Sequence, residues 1–258
     1  MTSPPHADLV ARLRAAGSVF AEDEAEVLVA SATSPDVLEQ MVRRRVDGEP
    51  LEVVVGWADF CGHRVVVEPG VFVPRTRTSI LVDEGAGLIG PGAVVVDLCC
   101  GTGAVGLALH ARVADVDLHA TDIEPAAVRC ARRNLEPIGG RVFAGDLFDA
   151  LPAGLRGRVD LLVVNAPYVP TDAIATMPPE ARDHEPRVAL DGGADGVDIH
   201  RRVTAGARDW LAPGGHLVIE TSRRQAALTS AAFADGGLEA RIVTSEETDG
   251  TAVIGSIR

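Results

Sequence analysis

Four consecutive residues, Asn165, Ala166, Pro167 and Tyr168, are the part of the sequence best suited to chemistry. They follow the apolar run 161–164, which predicts that they stand where a buried strand ends. The side-chain oxygen of Asn165 and the carbonyl of Ala166 can each accept one hydrogen of a planar NH2 group, and the Tyr168 ring can pack on its flat face. Asn and Pro are also ordinary turn formers, so the tetrapeptide alone is equally consistent with a simple turn.

A glycine-rich segment upstream, Asp97 to Gly103, predicts a ligand site at the start of a helix. Gly101 and Gly103 allow backbone to approach a ligand closely, and a helix N-terminus favours an anionic group. With Gly106 they also satisfy GxGxxG, which is weak evidence of a dinucleotide site. Asp97 would repel a pyrophosphate but attract a cationic amino group. An aminoacyl nucleoside such as S-adenosylmethionine therefore fits better than NAD, and a glycine turn without a ligand is the third reading.

Two further acids follow predicted strands. Asp122 can accept hydrogen bonds from both hydroxyls of a ribose, or can cap a helix that starts near Pro125. Asp146 can accept from an exocyclic amine such as adenine N6, although an ordinary turn aspartate is nearly as consistent. Asp97, Asp122, Asp146 and Asn165 thus end four predicted strands, and the set is far more specific than any one member.

Strands and helices alternate from about residue 92 onward. The predicted strands span 93–98, 116–121, 141–144, 159–164, 216–220, 240–244 and 252–257, and the predicted helices span 103–111, 125–134, 199–211 and 225–234. This alternation predicts an α/β fold with a doubly wound, mostly parallel, seven-stranded sheet of Rossmann-like form. Ligands of such sheets bind beyond the carboxyl ends of the strands, which is where the four polar side chains stand.

Shorter elements precede and interrupt this pattern. Three short helices are predicted over 6–16, 22–32 and 35–46, followed by a hairpin of 51–55 with 64–67. The predicted organisation is therefore a small N-terminal helical domain (1–47), a β-hairpin linker (48–74) and a ligand-binding domain (75–258). A long loop over 170–183 could cover the entrance to the site.

Composition limits the classes of partner. The 258 residues carry 24 basic and 37 acidic side chains, a net charge of -13, and every basic residue is Arg. This balance disfavours direct binding to nucleic acid, whose affinity comes largely from phosphate contacts. No apolar stretch approaches the roughly 20 residues of a membrane span, and a secretory signal is not evident. The four cysteines lack CxxC spacing, which predicts reduced thiols in a cytoplasmic protein and no metal site. Nothing here indicates the oligomeric state.

Several motifs resemble those of one family, the HemK-type protein-(glutamine-N5) methyltransferases, which are class I S-adenosylmethionine-dependent enzymes that modify translation release factors. The matching segments are 71–75, 97–103, Asp122, Asn134, 145–146, 165–168, 184–196, Arg201 and 211–215. The resemblance implies S-adenosylmethionine as cofactor, S-adenosylhomocysteine as product, and a release factor docked partly on the N-terminal helices. It implies catalytic roles for residues 165–168 and cofactor contacts from Arg75, Asp97, Cys99, Gly101, Gly103, Asp122, Ile123, Asp146, Leu147 and Asn165.

The sequence departs from the family pattern in three places. Ala166 replaces the first proline of the usual Asn-Pro-Pro-Tyr, which keeps the carbonyl acceptor but loses the fixed backbone angle. The segment Thr76-Arg77-Thr78-Ser79 stands where the family usually has Pro-Glu-Thr-Glu, so two acids are absent and an Arg is gained. The N-terminal region is also short. These differences indicate a divergent branch whose methyl acceptor can differ.

The sequence therefore predicts methyl transfer to a side-chain amide nitrogen, with glutamine N5 of a release factor as the first candidate. The first alternative keeps this chemistry with another acceptor, namely an exocyclic amine of a nucleic acid or an amide of a small molecule or peptide. A nicotinamide-dependent oxidoreductase would use Gly101, Gly103 and Gly106 but would leave residues 165–168 without a role. A non-catalytic binding module is the last alternative, against which the intact acids argue.

Overall fold

The computed structural model describes residues 4–257; residues 1–3, where the predicted N-terminal domain starts, and residue 258 lie outside the described part. The helices are α1 (Pro4–Ala15), α2 (Ala21–Ser31), α3 (Pro35–Val46), α4 (Leu51–Val55), α5 (Ser79–Ala86), α6 (Ala104–Arg112), α7 (Pro125–Leu135), α8 (Pro179–His184), α9 (Asp198–Trp210) and α10 (Ala226–Asp235). The strands are β1 (Trp57–Phe60), β2 (His63–Val66), β3 (Val94–Leu98), β4 (Asp117–Asp122), β5 (Arg141–Ala144), β6 (Val159–Val164), β7 (Leu211–Glu220), β8 (Glu239–Thr244) and β9 (Thr251–Ser256).

Seven strands form one sheet in the order β5-β4-β3-β6-β7-β9-β8. The first five strands of this order run parallel, and β9 is antiparallel to both β7 and β8. Helices cover both faces, so the central strands are apolar on both sides: Val95 belongs to the cluster under α5, α6 and α7, whereas Val96 belongs to the cluster with α9 and α10. The predicted doubly wound, mostly parallel sheet is confirmed.

The strand predicted for 51–55 is wrong, because this segment forms helix α4. Pro50 precedes the helix, and Gly56 ends it in the left-handed conformation with φ of 82°. Val54 is buried in the apolar cluster of α1, α2 and α3. A run of β-branched residues favours a strand locally, but its side chains here complete the core of the N-terminal helices. The hairpin itself lies slightly later, with β1 antiparallel to β2.

The other predicted elements are present, with ends that mostly shift by one or two residues. Strand β7 differs more, because it begins at Leu211 directly after α9 rather than at residue 216. The loop predicted over 170–183 is also more ordered than expected: Thr171–Thr176 forms 3-10 turns, and α8 follows Pro178. Within residues 4–257 no helix has both the length and the apolar composition that a membrane span needs.

Candidate active site

A cavity of about 540 Å³ opens at the carboxyl ends of β3, β4 and β6. It is lined by most of the predicted site residues, namely Arg75, Asp97, Cys99, Gly101, Asp122, Ile123, Asp146, Leu147, Asn165, Ala166, Pro167 and Tyr168. Gly103 is the exception. A Cβ atom there would meet the Leu135 side chain at 2.9 Å, so Gly103 allows close packing of α6 on α7 rather than contact with the cavity.

Asp97 forms the floor of the cavity, and its side chain is almost fully buried. One carboxylate oxygen accepts the Gly106 N–H at 3.1 Å, and the other has no partner among residues 4–257. Burial raises the pKa of this carboxyl group to about 7, and the nearby Asp122 charge acts in the same direction. A carboxylate in this position is therefore suited to a cationic ligand, which would supply the opposite charge that the free oxygen lacks.

The glycine loop above Asp97 is held by Asp122. Its two carboxylate oxygens accept the backbone N–H groups of Gly101 and Glu124, both at 2.9 Å. The predicted capping role is therefore wrong, because Glu124 is the residue that precedes α7 and Asp122 clamps the loop instead. Cys99 adopts φ of 57° in this loop, a left-handed conformation that is unfavourable for a residue with a Cβ.

Asp146 also lines the cavity and is tied to α9. Its carboxylate accepts from Arg202 Nη2 at 2.7 Å, and Arg202 itself lines the cavity. Leu147, with φ of 48°, is after Cys99 the second cavity residue other than glycine in the left-handed conformation. Sequence reasoning missed Arg202, because an exposed arginine in a helix is unremarkable until the fold brings it to a strand end.

Asn165 presents its amide with a defined orientation. Its Nδ2 donates to the Thr78 hydroxyl at 3.3 Å, which leaves Oδ1 without a partner among the described residues. The carbonyl oxygen of Ala166, a buried residue, likewise receives no hydrogen bond within residues 4–257. Two free acceptors from adjacent residues thus stand at the cavity, as the capture of an NH2 group requires.

The Tyr168 hydroxyl is held by the ion pair of Arg77 and Glu220. Its hydroxyl donates to Glu220 Oε1 at 3.1 Å, and Arg77 Nε donates to the same hydroxyl at 3.0 Å and to Glu220 Oε1 at 3.3 Å. Gln225 Nε2 also donates to the Tyr168 carbonyl at 2.7 Å. Sequence reasoning missed Glu220, although the available signal was the same as for the other acids: it ends a predicted strand.

The segment around α8 closes the remaining side of the cavity. Glu185, buried, accepts the Val73 N–H at 3.2 Å and pairs with Arg75 Nη2 at 2.6 Å. These contacts tie the segment to the chain that enters α5. Glu185 thus fixes this segment by hydrogen bonds. Met177 and Pro178 add an apolar wall.

The sheet order and the polar residues at its strand ends define a class I methyltransferase. The family model for the methyltransferase small domain matches residues 64–178. Among solved structures, a methyltransferase from Pyrococcus furiosus has a TM-score of 0.56 at 17% identity, over 75% of this chain and 88% of that one. At this identity the likeness shows the fold alone.

Curated relatives define the family more narrowly. A release factor glutamine methyltransferase of Geobacter sulfurreducens is 38% identical, over 76% of this chain and 69% of its own length. The enzyme of that name from Mycolicibacterium smegmatis is 37% identical, over 88% and 86%. A 4-amino-L-phenylalanine/4-methylamino-L-phenylalanine methyltransferase of Streptomyces pristinaespiralis is 39% identical, over 74% and 68%. The chain belongs to the release factor glutamine methyltransferase family, and the resemblance found in its sequence is confirmed.

Proposed function

We propose that this methyltransferase transfers a methyl group from S-adenosylmethionine to the N5 nitrogen of a glutamine side chain in a peptide chain release factor. The observation that carries the proposal is the pair of free acceptors, Asn165 Oδ1 and the Ala166 carbonyl, on adjacent residues at the cavity. A primary amide offers two hydrogens to such a pair and one flat face to the Tyr168 ring.

The residues present fit the cofactor. The free oxygen of buried Asp97 suits its amino group, and the Asp122 oxygens retain lone pairs for the ribose hydroxyls. Asp146 is available for the adenine amine, and the side chains of Ile123 and Leu147 offer apolar surface for the ring. When bound, S-adenosylmethionine would supply a methyl group activated by its positive sulfur and leave as S-adenosylhomocysteine, and the methylated nitrogen would release one proton to water.

The chain's own contribution is to hold and polarise the acceptor nitrogen. An amide nitrogen is a poor nucleophile because its lone pair is delocalised into the carbonyl. Hydrogen bonds from both N–H groups to Asn165 and Ala166 would return electron density to the nitrogen and aim its lone pair at the methyl group. Positioning of this kind can contribute about 7–11 kcal/mol in favourable cases.

The release factor is favoured as acceptor because relatives that carry this name match most of the chain. A release factor works at the ribosome, so the proposal also places the enzyme in the cytoplasm. The acidic charge of -13 would attract a basic protein surface. The helices α1, α2 and α3 are the proposed docking region for the rest of the release factor.

A free aromatic amine is the second candidate acceptor. The relative from Streptomyces pristinaespiralis is named for 4-amino-L-phenylalanine, whose arylamine is also a planar NH2 group. In this chain Arg77 lines the cavity where the family usually has a glutamate, and a cation at this position is compatible with an acceptor that carries a carboxylate.

Mass spectrometry would test the proposal. A release factor that carries a Gly-Gly-Gln loop should gain about 14 Da per methyl group on incubation with the enzyme and S-adenosylmethionine, mapped to that glutamine. Asn165→Ala should lower the rate of methyl transfer more than about 100-fold, because it removes a hydrogen-bond acceptor that only the substrate uses. The affinity for the cofactor should be nearly unchanged. Methylation of 4-amino-L-phenylalanine but not of the release factor would contradict the first candidate and support the second.

A further inference from the structure

Glu220 is buried to 1% exposure at the end of β7, although it takes no part in the proposed cofactor or acceptor contacts. Its Oε1 accepts from both Tyr168 and Arg77, and its Oε2 is buried without a partner among the described residues. A buried carboxylate costs free energy unless charged and hydrogen-bonding groups surround it. Burial of the Glu220 carboxylate therefore lowers the stability of the folded protein.

A second connection runs from Glu220 to Asn165. Burial raises the pKa of Glu220, and Arg77 Nε donates to its carboxylate at 3.3 Å. Thr78, the next residue along the chain from Arg77, accepts from Asn165 Nδ2 through its hydroxyl. Glu220 is thus linked to Tyr168 directly and to Asn165 through the adjacent residues Arg77 and Thr78.

The orientation of the Asn165 side chain decides which of its amide atoms faces the cavity. While Thr78 holds Asn165 Nδ2, the opposite side of the amide presents an oxygen to the cavity. If the Asn165 amide turned over, it would present a donor to the NH2 group of the substrate and could not accept from it. The Asn165 amide therefore needs a fixed orientation as well as a fixed position.

We propose that Glu220 is a positioning residue of the acceptor site. It fixes the Tyr168 ring through its hydroxyl, and through its ion pair with Arg77 it fixes the turn from which Thr78 holds the Asn165 amide. The inference rests on the proposed function. It also assigns a role to Arg77, which is unusual for the family: Arg77 is the partner of Glu220 and not an obstacle to the acceptor.

Fluorine NMR can test the direct connection, because Tyr168 is the only tyrosine in the sequence. Enzyme labelled with 3-fluorotyrosine gives one resonance, and Glu220→Ala should shift and broaden it. Glu220→Gln should do so less, since the amide oxygen can still accept from the hydroxyl. Glu84→Gln is the matched control, because Glu84 pairs with Arg241 outside the cavity, and it should leave the resonance in place.

Kinetics of methyl transfer test the functional part. Tyr168→Phe should lower kcat/KM for the acceptor about tenfold, the loss of roughly one hydrogen bond, with cofactor Kd unchanged. Glu220→Ala should lower kcat/KM further, and combining it with Tyr168→Phe should add nothing, since both remove the same anchor. If Glu220→Ala does not fold, Thr78→Val together with Tyr168→Phe interrupts both connections and leaves the carboxylate in place.

Two results would overturn the inference. One is a kcat/KM for the Glu220→Ala, Tyr168→Phe double variant that falls by the product of the two single losses, and the other is a folded Glu220→Ala enzyme with an unchanged fluorine resonance. Failure of the wild-type enzyme to methylate the release factor would instead contradict the proposed acceptor. The fluorine resonance does not depend on the acceptor, so it decides the role of Glu220 in that case as well.

Discussion

Asp97 has opposite consequences for stability and for ligand binding. Its pKa is raised to about 7, so the folded protein holds a proton that the unfolded chain releases near pH 4. The stability that this proton provides is complete below the unfolded value and is lost as the pH rises through 7. Above that pH the ligand-free protein contains a buried charge with one free oxygen, which is the state that a cationic amino group would bind.

We expect Asp97→Asn to abolish cofactor binding and to stabilise the ligand-free protein. At pH 8 its free energy of unfolding should exceed that of the wild type by roughly 1–4 kcal/mol, and the difference should shrink between about pH 7 and pH 4. Calorimetry and thermal denaturation across this range measure both effects. Equal melting temperatures at pH 8 would show that the Asp97 carboxylate is not destabilising.

Cys99 is a strained residue in the glycine loop, so Cys99→Gly should stabilise the protein. Relief of the left-handed conformation should raise the free energy of unfolding by about 1 kcal/mol, measured by urea denaturation. Cys100→Gly is the matched control: Cys100 is buried at an ordinary backbone angle, so its truncation should destabilise. If both variants were destabilised equally, the strain at Cys99 would be refuted.

The site residues that could be predicted from the sequence are those at the ends of strands. Asp97, Asp122, Asp146 and Asn165 each follow an apolar run, so their meeting at one sheet edge follows from the α/β pattern. Arg202 and Thr78 could not be found in this way, because they reach the site from a helix face and from a turn whose placement depends on tertiary packing.

Among the elements, helix α7 and the hairpin are joined through the buried side chain of Asn134. Asn134 Oδ1 accepts the Val66 N–H at 2.9 Å, and its Nδ2 donates to the carbonyls of Val66 and Thr102 at 3.0 and 2.8 Å. Thr102 lies in the glycine loop and lines the cavity. A single amide thus connects the hairpin, α7 and the proposed cofactor site.

Asn134→Ala should therefore lower the free energy of unfolding by about 3 kcal/mol, because it leaves buried backbone groups unpaired. It should also weaken cofactor binding by loosening the Thr102 backbone. Arg133→Ala is the control in the same helix, since its exposed pair with Glu68 should contribute about 1 kcal/mol or less. Urea denaturation of both variants measures the difference, and similar losses would contradict the role of Asn134.

The elements themselves were predictable where their apolar period is long. The central strands and α7 follow directly from it. Helix α4 does not, because Val53, Val54 and Val55 are β-branched and become helical only in contact with α1, α2 and α3. The order around α8 could not be predicted either, since it depends on the long-range contact of Glu185 with Val73.

At the scale of the whole molecule, α4 packs with α1, α2 and α3, so the boundary between the N-terminal helices and the rest lies after α4. The predicted domain boundaries, with the first domain ending at residue 47, remain a prediction, but a cut there would expose Val54. Removal of residues 1–55 is the better test of docking. We expect this truncated enzyme to methylate a short Gly-Gly-Gln peptide normally.

Its activity on an intact release factor should fall by at least about tenfold, because docking through the helices raises the local concentration of the acceptor. Rates on both substrates, with circular dichroism and cofactor binding as checks of folding, give the comparison. An unchanged ratio of the two rates would exclude docking by these helices.

Strand β9 is the last strand along the described chain, yet it lies inside the sheet between β7 and β8. During biosynthesis β8 emerges before β9, the strand with which it pairs in the described structure. Glu220 of β7 is opposite Ala252 of β9, so its surroundings are complete only once that strand has been made. The acceptor site is thus among the last parts to mature. A proposed modifier of the translation machinery would gain its activity only after its own synthesis has passed residue 256.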